Sequence, residues 1–117
     1  MKPLRRNVAV AIDGGGIRGL IATQALSILE DHIGKPVHNI FRLAVGTSTG
    51  AIIAAGIGSG MSASRMTELY KTIGASVFPR SLRSLLFPLT RYRYPAEPLV
   101  EALHSQFGDR KMGDFWE

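Results

Sequence analysis

The sequence predicts an α/β domain: a mainly parallel sheet with helices on both faces. Three observations carry that prediction. Two short apolar runs, Val8–Ile12 and Phe41–Val45, have the continuous hydrophobic character of strands buried on both faces. Each leads at once into a glycine-rich turn, at Gly14–Gly16 and Gly46–Gly50. Behind each turn lies a stretch with helical character. Alternating strand and helix marks a parallel sheet, and right-handed crossovers put the helices on its faces.

The elements follow in order. Val8–Ile12 is rich in β-branched residues and bounded by a charged tail and a glycine cluster. Ile17, Leu20, Ile21, Ala25, Ile28 and Leu29 then recur near helical spacing, and Gly34 before Pro36 is a stop signal. The second strand is interrupted by Arg42 alone. Ala51–Ile57 reads as a closely packed helix of small residues. Ser62 or Ser64 caps a helix running to about Ala75, with Met66, Leu69, Tyr70 and Ile73 on one face. Residues 76–94, with Pro79 and Pro88, read as a long connection with helical pieces. Pro98 suits the first turn of a last helix. Its stripe is Leu99, Leu103 and Phe107, and Gly108 ends it.

The composition narrows the class. A chain of 117 residues fits one domain. Its 45% hydrophobic and 20% charged content excludes a disordered, collagen-like or coiled-coil chain. Cysteine is absent, which excludes a disulfide scaffold, a zinc–thiolate site and a cysteine nucleophile. Met1–Arg6 looks like a basic leader segment, but the apolar run behind it stops at Asp13, too short for a signal-peptide core. Ala51–Ile57 falls far short of the ~20 residues of a membrane span. These features predict a cytoplasmic protein or one peripheral to a membrane.

The net charge of +5 is local. Residues 65–93 carry Arg65, Lys71, Arg80, Arg83, Arg91 and Arg93 against Glu68 alone, an excess equal to that of the whole chain. Arg80, Arg83, Arg91 and Arg93 interleave with Leu82, Leu85, Leu86, Phe87, Tyr92 and Tyr94. The plain reading is a solvated face with its apolar side packed down. The sharper one is docking to an anionic phospholipid surface, worth about 1 kcal/mol per basic residue. Nucleic-acid binding is not expected, because no recognised binding motif accompanies the charge.

Two turns carry the chemistry. Gly46-Thr47-Ser48-Thr49-Gly50 places a serine on a sharp strand-to-helix turn. The helix dipole there favours developing negative charge, which suits an acyl-transfer nucleophile. The pentapeptide pattern alone is weak. Glycine is 13 of 117 residues, and such a pattern arises by chance in roughly one chain in ten of this composition. The structural alternative is a turn with a capping serine. The other turn is Asp13-Gly14-Gly15-Gly16-Ile17-Arg18-Gly19, whose unobstructed N–H groups at a helix start can hold an oxyanion. In a parallel sheet both turns emerge at the carboxyl ends of the strands, where ligands bind.

Gly14, Gly16 and Gly19 also spell a dinucleotide-binding fingerprint. Asp13 would set a carboxylate beside the pyrophosphate, and no acidic residue closes the second strand; Glu30 and Asp31 fall near the helix end. A phosphate-binding P-loop fails outright, because Leu20 stands where lysine is required.

Taken together, the two motifs resemble the patatin-like phospholipase family, and the resemblance covers nearly the whole chain. Pro98-Leu99 to Phe107-Gly108-Asp109 looks like that family's later helix and turn. Within the family the chain looks most like bacterial members, some of them under cyclic-nucleotide control. The resemblance implies a patatin-like α/β fold and a lipid acyl hydrolase with a Ser–Asp dyad. It makes Ser48 the nucleophile. It makes the Gly14, Gly15 and Gly16 backbone the oxyanion loop, with Arg18 beside it. The implied substrate is a membrane phospholipid or other lipid ester, and no metal or organic cofactor is required.

One part of the family pattern has no match. The dyad aspartate belongs to a downstream D-G-[AG] motif. Of Asp13, Asp31, Asp109 and Asp114, Asp13 alone precedes two glycines, and it sits in the oxyanion loop. The expectation is therefore that residues 1–117 are the N-terminal portion of a patatin-like domain, marginally stable in isolation. His32, His38 and His104 are the alternative bases; His104 is the one worth testing. The competing functions are a non-catalytic lipid- or partner-binding fragment and a dinucleotide-binding fragment.

Overall fold

The structure, a computed structural model, describes residues 7–77 and 96–115. The apolar runs become two short parallel strands, β1 (Ala9–Ile12) and β2 (Leu43–Gly46). They pair in the register Ala9 with Leu43, Val10 with Ala44, Ala11 with Val45 and Ile12 with Gly46. Phe41 and Arg42 lie ahead of β2, because the Phe41 N–H closes the preceding helical turn on the Val37 carbonyl. The Arg42 N–H donates to the Val8 carbonyl at 2.8 Å, extending the pairing by one bond.

The crossover between the strands holds a 3-10 turn (Gly16–Arg18), α1 (Gly19–Ile33) and the one-turn α2 (Val37–Ile40). Gly34, in the left-handed conformation with φ of 70°, ends α1 by donating its N–H to the Glu30 carbonyl. Then follow α3 (Thr49–Gly58), α4 (Ala63–Val77), α5 (Glu97–Phe107) and a closing 3-10 turn (Met112–Phe115). Ser62 caps α4 by accepting the Arg65 N–H, while Ser64 reaches the Ser62 hydroxyl instead. His38 sits on α2 with its side chain exposed.

The α/β class and the parallel pairing agree with the sequence. The burial of individual faces differs. α3 packs against the sheet, and α1 packs against α4. Among the described residues one sheet face stays open: Ala9 and Ala11 are exposed, as are Leu43 (51%) and Val45 (47%). Burial of the strands on both faces is thus not found among these residues. The opposite face, with Val10, Ile12 and Ala44, joins a core of Leu26, Val37, Ile53, Ile57, Ala63, Met66 and Tyr70.

The α1 stripe is also displaced. Its buried positions are Gly19, Thr23 and Leu26, while Ile21 (71%) and Ile28 (61%) face outward. Gly19, Thr23, Leu26 and Glu30 recur at helical spacing, so the face turned to α4 includes residues that a search for apolar side chains passes over. Thr23 can be fully buried because its hydroxyl donates to the Leu20 carbonyl at 3.0 Å. On α5, Leu99, Leu103 and Phe107 are half-buried, and Phe107 meets Phe115 edge-on with ring centroids 6.3 Å apart.

Candidate active site

The parallel register brings both carboxyl strand ends to one edge. Ile12 leads into Asp13 and the glycine loop; Gly46, its partner, leads into Ser48. The two turns touch there. The Thr47 N–H donates to the Ile12 carbonyl at 3.2 Å. A Cβ at Gly50 would collide with the Ile12 carbonyl oxygen, and one at Gly46 with the Gly50 carbonyl. Glycine at both ends of the pentapeptide thus lets the helix start lie against the strand ends. A Cβ on Gly14 would stand 2.7 Å from the Ser48 Cβ and from the Thr47 carbonyl oxygen, so the glycine loop lies directly beside the serine.

Ser48 has φ of 53° and ψ of −125°, and no other non-glycine residue among those described has positive φ. For an L-residue this conformation costs about 1–3 kcal/mol and is held by its surroundings. Ser48 stands at the N-cap of α3, yet its hydroxyl makes no capping bond. The side chain is exposed at the mouth of the turn. A serine serving as a cap would bond the backbone two or three residues on.

The glycine loop is held by the two threonines that flank the serine. The Gly14 N–H donates to Thr47 Oγ1 at 3.1 Å, and the Gly15 N–H to Thr49 Oγ1 at 3.2 Å. Two of the three N–H groups expected to hold an oxyanion are thus engaged in this structure. Gly16 and Thr49 each open a helical segment, so their N–H groups have no intrahelical partner. They are candidate donors at the starts of the two helical segments. Arg18 lies beside the loop, with its Nε–H donating to the Gly15 carbonyl at 3.4 Å and its side chain exposed.

The histidines stay apart from the serine. His32 and His38 are exposed. His104 is exposed on α5, with Nε2 3.3 Å from Asp109 Oδ1. Among the described residues no hydrogen bond joins Ser48 to a histidine or a carboxylate. No group of three or more His, Asp or Glu side chains among them is placed to hold a metal. Glu30, near the end of α1, accepts the N–H groups of Val37 at 2.8 Å and Ala63 at 2.9 Å. An open groove of about 390 Å³ between α1 and α4, lined by Gln24, Ser27, Thr67, Glu68 and Lys71, contains no residue of either turn. Arg80, Arg83, Arg91 and Arg93 lie outside the described residues.

Reading the motifs residue by residue missed three contributors. Thr47 and Thr49 occupy the variable positions of the serine motif, where a pattern carries no requirement. Tyr70 reads as a core residue of α4. It is one, at 5% exposed, but its hydroxyl also donates to the Thr49 carbonyl at 2.6 Å. Burial pushes the Tyr70 phenol above the ordinary tyrosine pKa, against a smaller opposing pull from Thr49.

Fold and site together define a parallel α/β unit with a strained serine elbow set against a glycine loop. The family model for patatin-like phospholipase matches residues 10–117, and the chain belongs to that family. It is 33% identical over 108 residues to an intracellular phospholipase A2 of Caenorhabditis elegans, covering 92% of this chain and 9% of that protein. It is 35% identical over 108 residues to a cGAMP-activated phospholipase of Pseudomonas aeruginosa, covering 90% of this chain and 32% of that one. To the human calcium-independent phospholipase A2-gamma it is 42% identical over 74 residues, 62% of this chain and 10% of that one. The chain thus spans about a third or less of the length of these relatives. No helix among the described residues is long and apolar enough to cross a membrane.

Proposed function

We propose that residues 1–117 carry the nucleophile half of a patatin-like serine acyl hydrolase acting on phospholipid or other lipid esters. The observation that carries this reading is Ser48: a non-glycine residue held at φ of 53°, exposed and not capping, beside a glycine loop. Ser48 Oγ attacks the ester carbonyl carbon, and the carbonyl oxygen gains the negative charge. The Gly16 and Thr49 N–H groups, with the positive end of the α3 dipole, stabilise that oxyanion. Gly14 and Gly15 hold the loop against the serine turn, and the Arg18 charge lies at its rim. Collapse of the tetrahedral intermediate expels the alcohol and leaves an acyl-serine, which water then hydrolyses to the fatty acid.

The serine proton passes to an aspartate, and in this reading that base belongs to the D-G-[AG] segment of the family pattern, outside Asp13, Asp31, Asp109 and Asp114. General-base help of this kind is worth about 10²–10⁴-fold. The relatives named as phospholipases support a lipid ester as substrate. The arginines at 80, 83, 91 and 93 belong to the same proposal, as a docking segment for an anionic bilayer. The chemistry calls on no metal or organic cofactor.

The test is hydrolysis of a short-chain p-nitrophenyl ester and of phospholipid vesicles by the full chain and by Ser48→Ala. The substitution is expected to abolish turnover while leaving the circular dichroism spectrum unchanged. Turnover that persists undiminished in Ser48→Ala would reject Ser48 as the nucleophile.

A further inference from the structure

Tyr70 lies on α4, in neither motif, yet it touches the helix starts behind both. Its hydroxyl donates to the carbonyl of Thr49, the residue after Ser48. Its ring lies on Gly19, the first residue of α1, where an added Cβ would stand 2.7 Å from the ring Cζ and from the hydroxyl oxygen. Thr49 in turn accepts the Gly15 N–H through its own hydroxyl. One buried side chain therefore meets the start of α1, directly behind the glycine loop, and the start of α3, directly behind the serine.

We propose that Tyr70 is a positioning residue that sets the spacing between the glycine loop and the Ser48 turn. The argument rests on what those turns need. A serine at φ of 53° persists where its neighbours over-determine it. The Gly16 and Thr49 N–H groups serve one oxyanion if their separation is held, and misplacement by an ångström costs heavily in a preorganised site. Neither strand supplies that hold beyond Gly46. The direct ties between the turns are the bonds from Gly14 to Thr47, from Gly15 to Thr49 and from Thr47 to Ile12, each at 3.1–3.2 Å. The Tyr70 bond, at 2.6 Å, is buried, where a hydroxyl rarely goes without a partner. The catalytic consequence rests on the acyl hydrolase reading; the geometric claim does not.

The experiment compares the full chain with Tyr70→Phe, which keeps the ring and removes the hydroxyl. Amide hydrogen exchange is followed over residues 13–19 and 47–51, with α5 as the internal reference. Exchange in both turns is expected to rise about tenfold while α5 keeps its protection. With a soluble p-nitrophenyl ester, kcat is expected to fall about tenfold at unchanged KM. Unchanged exchange in the turns would overturn the proposal, as would an equal rise in α5, which marks general loosening. Gly19→Ala reaches the same contact from the other side and is expected to loosen the same two turns; it decides the matter if Tyr70→Phe does not fold. If hydrolysis by the unaltered chain is retained in Ser48→Ala, the hydrolase reading falls, and the exchange result still decides the role of Tyr70.

Discussion

The Glu30 carboxylate on α1 accepts the Ala63 N–H at the start of α4, at 2.9 Å, across 33 residues of chain. Its other oxygen accepts the Val37 N–H at the start of α2, at 2.8 Å. One half-buried acid thereby serves two helix starts, each with N–H groups that the helix cannot satisfy. Val37 and Ala63 are themselves fully buried, so water does not readily replace the lost acceptor.

Glu30→Ala should therefore cost about 2 kcal/mol or more, in line with losing charged hydrogen bonds to buried groups. Glu30→Gln keeps one acceptor oxygen and should cost less. Urea midpoints of the two variants measure the difference. Equal midpoints in both, matching the unaltered chain, would mean that the carboxylate contributes nothing.

Ser48→Gly should stabilise the chain while removing the proposed nucleophile. Glycine adopts the Ser48 conformation without strain, so relief of about 1 kcal/mol is expected, less the entropy glycine adds to the unfolded state. Ser48→Ala keeps the strain and should leave the urea midpoint near its original value. A glycine variant less stable than the alanine variant would show that the conformation is not strained.

Stability should decline in alkali through Tyr70. A phenol whose pKa is raised by folding holds its proton more tightly in the folded chain than in the unfolded one. Its contribution is full below about pH 10, the unfolded value, and is lost as pH climbs through the folded value. Tyr70→Phe should flatten the fall in unfolding free energy above about pH 10. The same slope in both proteins would assign the alkaline loss to other groups.

Replacing Arg80, Arg83, Arg91 and Arg93 by glutamine should weaken binding to anionic phospholipid vesicles by up to about a thousandfold, at roughly 1 kcal/mol per residue near the surface. Hydrolysis of a soluble ester should be unaffected. Vesicle binding that is unchanged at low salt would remove these arginines from the membrane proposal.

Much of the site was legible along the chain. The strand–turn–helix units and both glycine turns follow from local chemistry: apolar runs make strands, glycine permits tight approach, and helix starts supply free N–H groups. The order Ile12, Asp13, Gly14 and Gly46, Thr47, Ser48 already placed both turns at the same sheet edge, because parallel strands share their carboxyl ends. The proposal for Ser48 drew on two motifs about 30 residues apart, since the pentapeptide alone is a weak pattern.

Which face of each element is buried was not legible, because it depends on partners far away in sequence. Thr23 and Gly19, rather than Ile21 and Ile28, face α4 because the helices meet on small residues and a satisfied hydroxyl. The use of the Gly14 and Gly15 N–H groups by Thr47 and Thr49 depends on a separation of 33 and 34 residues closing to hydrogen-bond distance. Tyr70 acquires its role in the same way: nothing in its own segment indicates that packing brings its hydroxyl to the backbone behind Ser48.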